Sequence, residues 1–240
     1  MDIVQLLRCQ IMSEVLIELR NISKIYNPKQ NEVLALKDVS LTINKGEYVS
    51  IMGTSGSGKS TLLNILGLLD TPTFGEYYIQ NENVTGLTEK QLTQMRLKHF
   101  GFIFQSFNLM NNTTNSVNIE LPMLYGGVSK SKRKARAREL MEIMQILDKA
   151  DKRPMQLSGG QRQRVAICRA LANHPDLIFA DEPTGALDSK TTDSILELLR
   201  ELNSRGNTII CVTHDRHVAD SANRVITIKD GEIESDVSKI

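Results

Sequence analysis

Apolar and polar residues alternate over residues 15–26 and again over 33–43, with an Asn27-Pro28 pair between the two stretches. The alternation and its β-branched side chains predict two strands joined by a turn. Residues 48–52, YVSIM, read as a short buried strand that runs straight into a glycine-rich stretch, after which residues 59–69 continue as an apolar helix. Residues 76–84 predict a further strand. The character then changes. From 87 to about 151 the chain is mostly helical, with charged faces over 90–98 and 130–142, and only the apolar run 101–104 resembles a strand. We expect a helical subdomain here, inserted at about 87–165.

Strands and helices then resume. Residues 176–180 form an apolar strand ending in Asp181 and Glu182, and residues 207–213 form a second buried strand. Between them Ile195, Leu198, Leu199 and Leu202 recur at i, i+3, i+4 and i+7, which predicts an amphipathic helix over 191–202. Residues 224–234 predict a hairpin turning at Asp230-Gly231. The sum is an α/β fold with a mainly parallel sheet covered on both faces.

Composition narrows this picture. A chain of 240 residues with 40% hydrophobic side chains can bury a sizeable core. With 29 basic and 28 acidic residues the formal net charge is +1, so no overall field draws the protein to nucleic acid or to an anionic membrane. Partners have to be argued locally. No apolar stretch approaches the ~20 residues that span a bilayer, and no leader pattern opens the chain. Cys9, Cys168 and Cys211 lack metal-ligand spacing and suit reduced thiols. Met12-Ser13 reads as an alternative start, so residues 1–12 are taken as an extension without assigned function and residues 13–240 as the domain.

The chemistry concentrates in three places. GTSGSGKS, from Gly53 through Thr54, Ser55, Gly56, Ser57, Gly58 and Lys59 to Ser60, lies between a strand and a helix. Its glycines let backbone N–H groups face the phosphates of a nucleoside triphosphate, Lys59 reaches the β- and γ-phosphates, and Ser60 ligates Mg²⁺. Thr61 follows on the same helix start. Asp181 ends a strand facing this loop and suits the Mg²⁺ shell, while Glu182, one residue on, can polarise the attacking water as general base. His214 ends another strand and could bond a γ-phosphate oxygen. The third place is LSGGQ, where Ser158, Gly159, Gly160 and Gln161 open a helix and offer a second anion site. One nucleotide has no obvious need of two such sites from one copy.

These motifs, in this order, resemble the nucleotide-binding subunit of ATP-binding cassette (ABC) transporters over about residues 15–234. LSGGQ is similar to that family's signature and LIFADE to its second nucleotide motif. The resemblance implies a P-loop (RecA-like) core with an N-terminal antiparallel β subdomain and an inserted α-helical signature subdomain. It implies that Tyr26 stacks on adenine, that Gln105 in FIFQ touches Mg²⁺ and links the site to the helical subdomain, that Asp188 lies in the loop after the second motif, and that His214 is a switch histidine. It implies further that two copies pack head to tail, so that Ser158 and Gly160 of one face the γ-phosphate held by the other. ATP would close such a homodimer and hydrolysis release it.

NIELPMLYGG at 118–127 and FADEPTGALDS at 179–189 are similar to the macrolide-exporter, lipoprotein-release and antimicrobial-peptide-export branch. That branch implies a membrane permease with few membrane helices and an extracytoplasmic domain. Because the chain itself carries no membrane helix and departs from the fused exporters before LSGGQ, the permease is expected on a separate polypeptide, with this chain peripheral at the cytoplasmic face of the membrane. Residues 151–156, DKRPMQ, lack the Gly-Glu-Arg of the large fused exporters. The permease is expected to dock between Phe100 and Tyr125, where Phe102, Phe104, Phe107, Leu109, Met110 and Met123 are either adaptable surface or the subdomain's own core. KSKRKARAR at 130–138 is either a solvated helix face or a contact with anionic lipid. A rival reading, a soluble ABC-type ATPase of DNA repair or translation, needs long coiled coils, zinc modules or a second cassette. Here Lys59 and Ser158 are only about a hundred residues apart, and no heptads are sustained.

Overall fold

The computed structural model describes residues 14–27 and 31–239. Cys9, Pro28 and the extension at 1–12 lie outside them. Two sheets organise the chain. The first is antiparallel, in the order β2-β1-β4-β5, with β1 at Val15–Tyr26, β2 at Val33–Asn44, β4 at Phe74–Ile79 and β5 at Glu82–Asn83. The second has the order β10-β9-β3-β8-β7-β6, from β3 (Tyr48–Met52), β6 (Phe100–Phe104), β7 (Leu177–Asp181), β8 (Thr208–Thr213), β9 (Arg224–Lys229) and β10 (Glu232–Ser238). Its strands run parallel except β10, which pairs with β9 as a hairpin. The expected N-terminal antiparallel unit and parallel core are both present.

The central strands β3, β7 and β8 read as unbroken apolar runs because both faces are covered. Successive side chains on a strand point to opposite faces, and here they enter two separate cores. Val49, Ile51, Leu177, Phe179, Ile210 and Val212 pack toward the antiparallel sheet and α1 (Lys59–Leu66). Ile178, Ala180, Ile209 and Cys211 face α5 (Gly159–Leu171) and α6 (Ser189–Ser204) on the other side. Cys168 and Cys211 are buried free thiols, and burial pushes the Cys168 thiol up to about 12.

Three local expectations are refined. α1 stops at Leu66 rather than 69, because Leu68 takes φ +56°, outside the right-handed helical region. The strand expected over 76–84 is a hairpin, since Gln80 and Asn81 both adopt positive φ, as a two-residue type I′ turn requires. The apolar run at 101–104 is no isolated piece of the helical block. As β6 it pairs with β7 in the main sheet, and Phe100 and Phe102 pack on Phe179 with ring centroids 5.1 and 5.3 Å away. A Cβ on Gly101 would lie 2.5 Å from the Ala170 carbonyl oxygen, so this glycine sets how closely α5 covers the strand. α2 (Glu89–His99) precedes it, and α3 (Asn115–Tyr125) and α4 (Lys130–Ile143) follow, packed on each other and on α5.

Candidate nucleotide site

Strand register brings the site together. Met52 on β3 lies opposite Thr213 on β8, Val212 opposite Asp181 on β7, and Asp181 opposite Phe104 on β6. The residues that follow each strand therefore emerge at one edge: the loop from Gly53, Glu182, His214 and Gln105. Ligands of open α/β sheets bind at this carboxyl edge.

The loop is shaped by backbone. Gly58, with φ +102°, caps α1 without a side chain, and a Cβ there would lie 2.6 Å from the Ala35 carbonyl oxygen. A Cβ on Gly53 would come within 2.4 Å of both the Ile228 carbonyl oxygen and Ser57 Oγ. The first-turn N–H groups of α1, on Lys59, Ser60 and Thr61, have no side-chain acceptor. Ser57 is buried, its Oγ is unpartnered, and its carbonyl accepts from the Gly231 N–H at 3.0 Å, which ties the loop to the β9–β10 turn. Lys59 Nζ donates to the Thr54 carbonyl at 2.7 Å, folding back across the loop. Thr54, Ser55 and Gly56 form its exposed tip.

The carboxylates sit across from it. Burial, then the neighbouring charge of Glu182, holds the Asp181 carboxyl above its ordinary range, and Lys59 opposes the rise. Ser60, Asp181 and Gln105 offer hydroxyl, carboxylate and amide oxygens, the hard donors that suit Mg²⁺. Glu182 adopts φ +44°, uncommon for a residue with a side chain, and costs of order 1–3 kcal/mol. It is held there from all sides. Its N–H donates to the Val212 carbonyl at 2.9 Å, Oε2 accepts from Thr213 Oγ1 at 3.0 Å, and Oε1 accepts from the His214 N–H at 3.0 Å with His214 Nδ1 at 2.6 Å. The Gln105 side chain reaches across to the same loop, so close that a Cβ on Gly185 would lie 2.7 Å from its Nε2.

The second helix start is built differently. Ser158 and Gln161 form a reciprocal capping box, with Ser158 Oγ accepting from the Gln161 N–H at 3.3 Å and Gln161 Oε1 from the Ser158 N–H at 3.1 Å. Gly159 and Gly160 let α5 rest on the next segment: Cβ atoms there would meet Leu187 at 3.1 Å and Thr191 at 2.5 Å. Asp188 caps α6, accepting from the Thr191 N–H and Oγ1 at 3.0 and 2.7 Å, bonds that lower its pKa. Among the described residues no hydrogen bond joins 158–161 to 53–61. The two helix starts are separate places on one molecule. Tyr26 ends β1, with its hydroxyl donating to Asp70 Oδ2 at 2.8 Å and Lys24 Nζ 4.9 Å above its ring.

Two polar residues at the site were not singled out from sequence. Thr213 grips Glu182, as above. Gln163 is fully buried and donates from Nε2 to the Pro183 carbonyl at 2.6 Å, linking α5 to the residue after Glu182. Its signal was a polar side chain on the stripe it shares with Ile167 and Ala170, at i+4 and i+7. An open groove of ≈ 650 Å³ runs along β6 and α3, lined by Phe100, Phe102, Phe104, Leu121, Pro122 and Tyr125 among others. Of the side chains expected to offer docking surface, Met123 and Phe107 are buried, Phe107 under the Arg162 guanidinium at 4.8 Å. Met110 is exposed, and Phe102 and Phe104 line the groove.

Comparison with known proteins agrees with this geometry. Residues 36–185 match the family described as ABC transporter. The macrolide export ATP-binding/permease protein MacB of Aggregatibacter actinomycetemcomitans is 50% identical over 224 residues, 93% of this chain and 35% of that protein. MacB of Salmonella typhi is 50% identical over 218 residues, 91% of this chain and 34% of that protein. The chain spans about a third of the length of these relatives. The solved dimeric structure of the bacterial ABC transporter cassette MJ0796 superposes with a TM-score of 0.85 at 49% identity, covering 93% of this chain and 98% of that one. A dimeric post-hydrolysis state of the same cassette, bound to ADP and Pi, gives a TM-score of 0.85 at 48% identity. On sequence, fold and the placement of its motifs, the chain belongs to the ABC transporter family, as its ATP-hydrolysing cassette.

Proposed function

We propose that this chain powers a membrane permease by binding and hydrolysing ATP between two copies of itself. The observation that carries the reading is the register of β3, β8, β7 and β6, which delivers the loop from Gly53, Glu182, His214 and Gln105 to one edge. Gly53 to Thr61 cradle the phosphates, Lys59 leaves the Thr54 carbonyl for the β- and γ-phosphates, and Tyr26 offers its ring to the adenine. Ser60, Asp181 and Gln105 would hold Mg²⁺, which when bound offsets phosphate charge. Glu182 accepts the proton of the attacking water, and His214, already on its Oε1, orients that carboxylate and reaches the γ-phosphate. Ser158, Gly159, Gly160 and Gln161, with Asp188 behind them, complete the site of the opposite copy.

The relatives named above, macrolide export ATP-binding/permease proteins, support macrolide-like amphipathic molecules as the exported class and a permease as the partner. The motif resemblance of residues 118–127 and 179–189 is what supports an extracytoplasmic domain on that permease. The groove between β6 and α3 is the surface we assign to it, at the cytoplasmic face of the membrane. Among the described residues no helix is long and apolar enough to cross a bilayer. The test is Glu182→Gln. With ATP it should elute as a dimer by light scattering and hydrolyse at least ~100-fold more slowly than the parent; a monomer, or turnover at the parental rate, refutes the reading.

A further inference from the structure

The basic run on α4 divides into two kinds of residue. Arg133 and Arg136 turn inward: Arg133 donates to the Val128 carbonyl at 2.6 Å and lies 3.5 Å from Glu120, and Arg136 pairs with Glu139 at 2.9 Å. Lys130, Lys132, Lys134 and Arg138 are exposed and have no ion-pair partner among the described residues. Nothing within the fold uses their charge.

Their placement works against the helix. Lys130 and Lys132 occupy the first turn, where the N-terminal end of the dipole disfavours cations, and Ser129 supplies no side-chain cap. Glu139 and Glu142 lie toward the C-terminal end, where anions are disfavoured. Lys130, Lys134 and Arg138, at i, i+4 and i+8, form one stripe.

Beside this stripe are two exposed apolar side chains. Leu124 and Tyr125, 50% and 76% exposed, end α3, and the Val128 N–H returns to the Met123 carbonyl at 2.9 Å, so α4 begins directly alongside them. An aromatic with a polar tip and an aliphatic side chain next to unpaired lysines fit the boundary between headgroups and acyl chains. Nucleic acid would use the lysines but gives Leu124 nothing to bury against.

We propose that the α3–α4 turn and the first half of α4 contact the anionic headgroups of a phospholipid bilayer, independently of any permease. The experiment is flotation of the 240-residue protein, free of nucleotide, with phosphatidylcholine vesicles containing or lacking phosphatidylglycerol. Binding should require phosphatidylglycerol and fall with added salt. Lys130→Gln/Lys132→Gln/Lys134→Gln should weaken it on the order of 100-fold, and Tyr125→Ala should weaken it without changing the salt dependence. Lys37→Gln/Lys45→Gln/Lys229→Gln removes as much charge elsewhere and should bind as the parent does. Equal binding by the first triple variant, equal loss in the second, equal binding to neutral vesicles, or displacement by a short DNA duplex at matching affinity would each overturn the proposal. All the substituted side chains are exposed, and an unchanged melting curve confirms that each variant is folded.

Discussion

The two helix starts, at Lys59 and at Gly159, carry similar glycine-rich sequences and are built in opposite ways. The first is open. Its cap is a glycine in a conformation that side chains rarely adopt, its N–H groups have no side-chain acceptor, and its lysine rests on a carbonyl of its own loop. The second is closed on itself, because Ser158 and Gln161 satisfy one another. The difference teaches that a helix N-terminus is not one kind of anion site. The open start is set for a ligand before it arrives. The closed one keeps its capping bonds and offers a partner what they leave over, the Ser158 O–H and the N–H groups of Gly159 and Gly160.

Removing the open side's cation should have the largest effect. Lys59→Ala is expected to lower ATP affinity at least ~100-fold, since charge-assisted bonds to phosphate are lost with nothing to replace them. Equilibrium binding of a fluorescent ATP analogue measures this; affinity within a few-fold of the parent would show that the backbone cradle suffices. A smaller effect is expected where the open side is preset on its far wall. Thr213→Val removes the hydroxyl on Glu182 Oε2 and should reduce kcat about tenfold with KM for ATP unchanged, and Thr213→Ser should restore it. An equal change in both constants, or no rescue, would assign Thr213 to packing alone. The closed side should respond least in the isolated chain. Ser158→Ala removes a cap worth about 1 kcal/mol, seen as a modest drop in melting temperature, while ATP affinity of the monomer stays the same. If that affinity falls with it, the two helix starts are not independent.

Much of this was legible in the sequence because the open side is a local object. A strand, a loop of fixed spacing and a helix are contiguous from Tyr48 to Leu66, and each residue's role depends on neighbours a few positions away. The unbroken apolar runs at β7 and β8 likewise announced buried parallel strands. What was hidden depended on distant partners. Phe100–Phe104 looks isolated between charged helices, and only pairing with Leu177–Asp181, more than seventy residues later, makes it part of the core. Thr213 reads as the last polar residue of a strand until Glu182 turns back on it through a positive φ. Met123 and Phe107 could equally have been surface or interior, since neither a short amphipathic helix nor a loop states which of its apolar residues a neighbour will cover.

The alternation along β7 and β8 has a consequence for how the chain matures. Odd and even residues of each strand fill different cores, so a pairing error of one position would place Phe179 where only Ala180 fits and turn Asp181 away from the loop. A misregistered chain would therefore lose its packing and its nucleotide site in the same step. Ability to bind nucleotide then serves as a built-in certificate of correct assembly, issued by the strands before any partner is met.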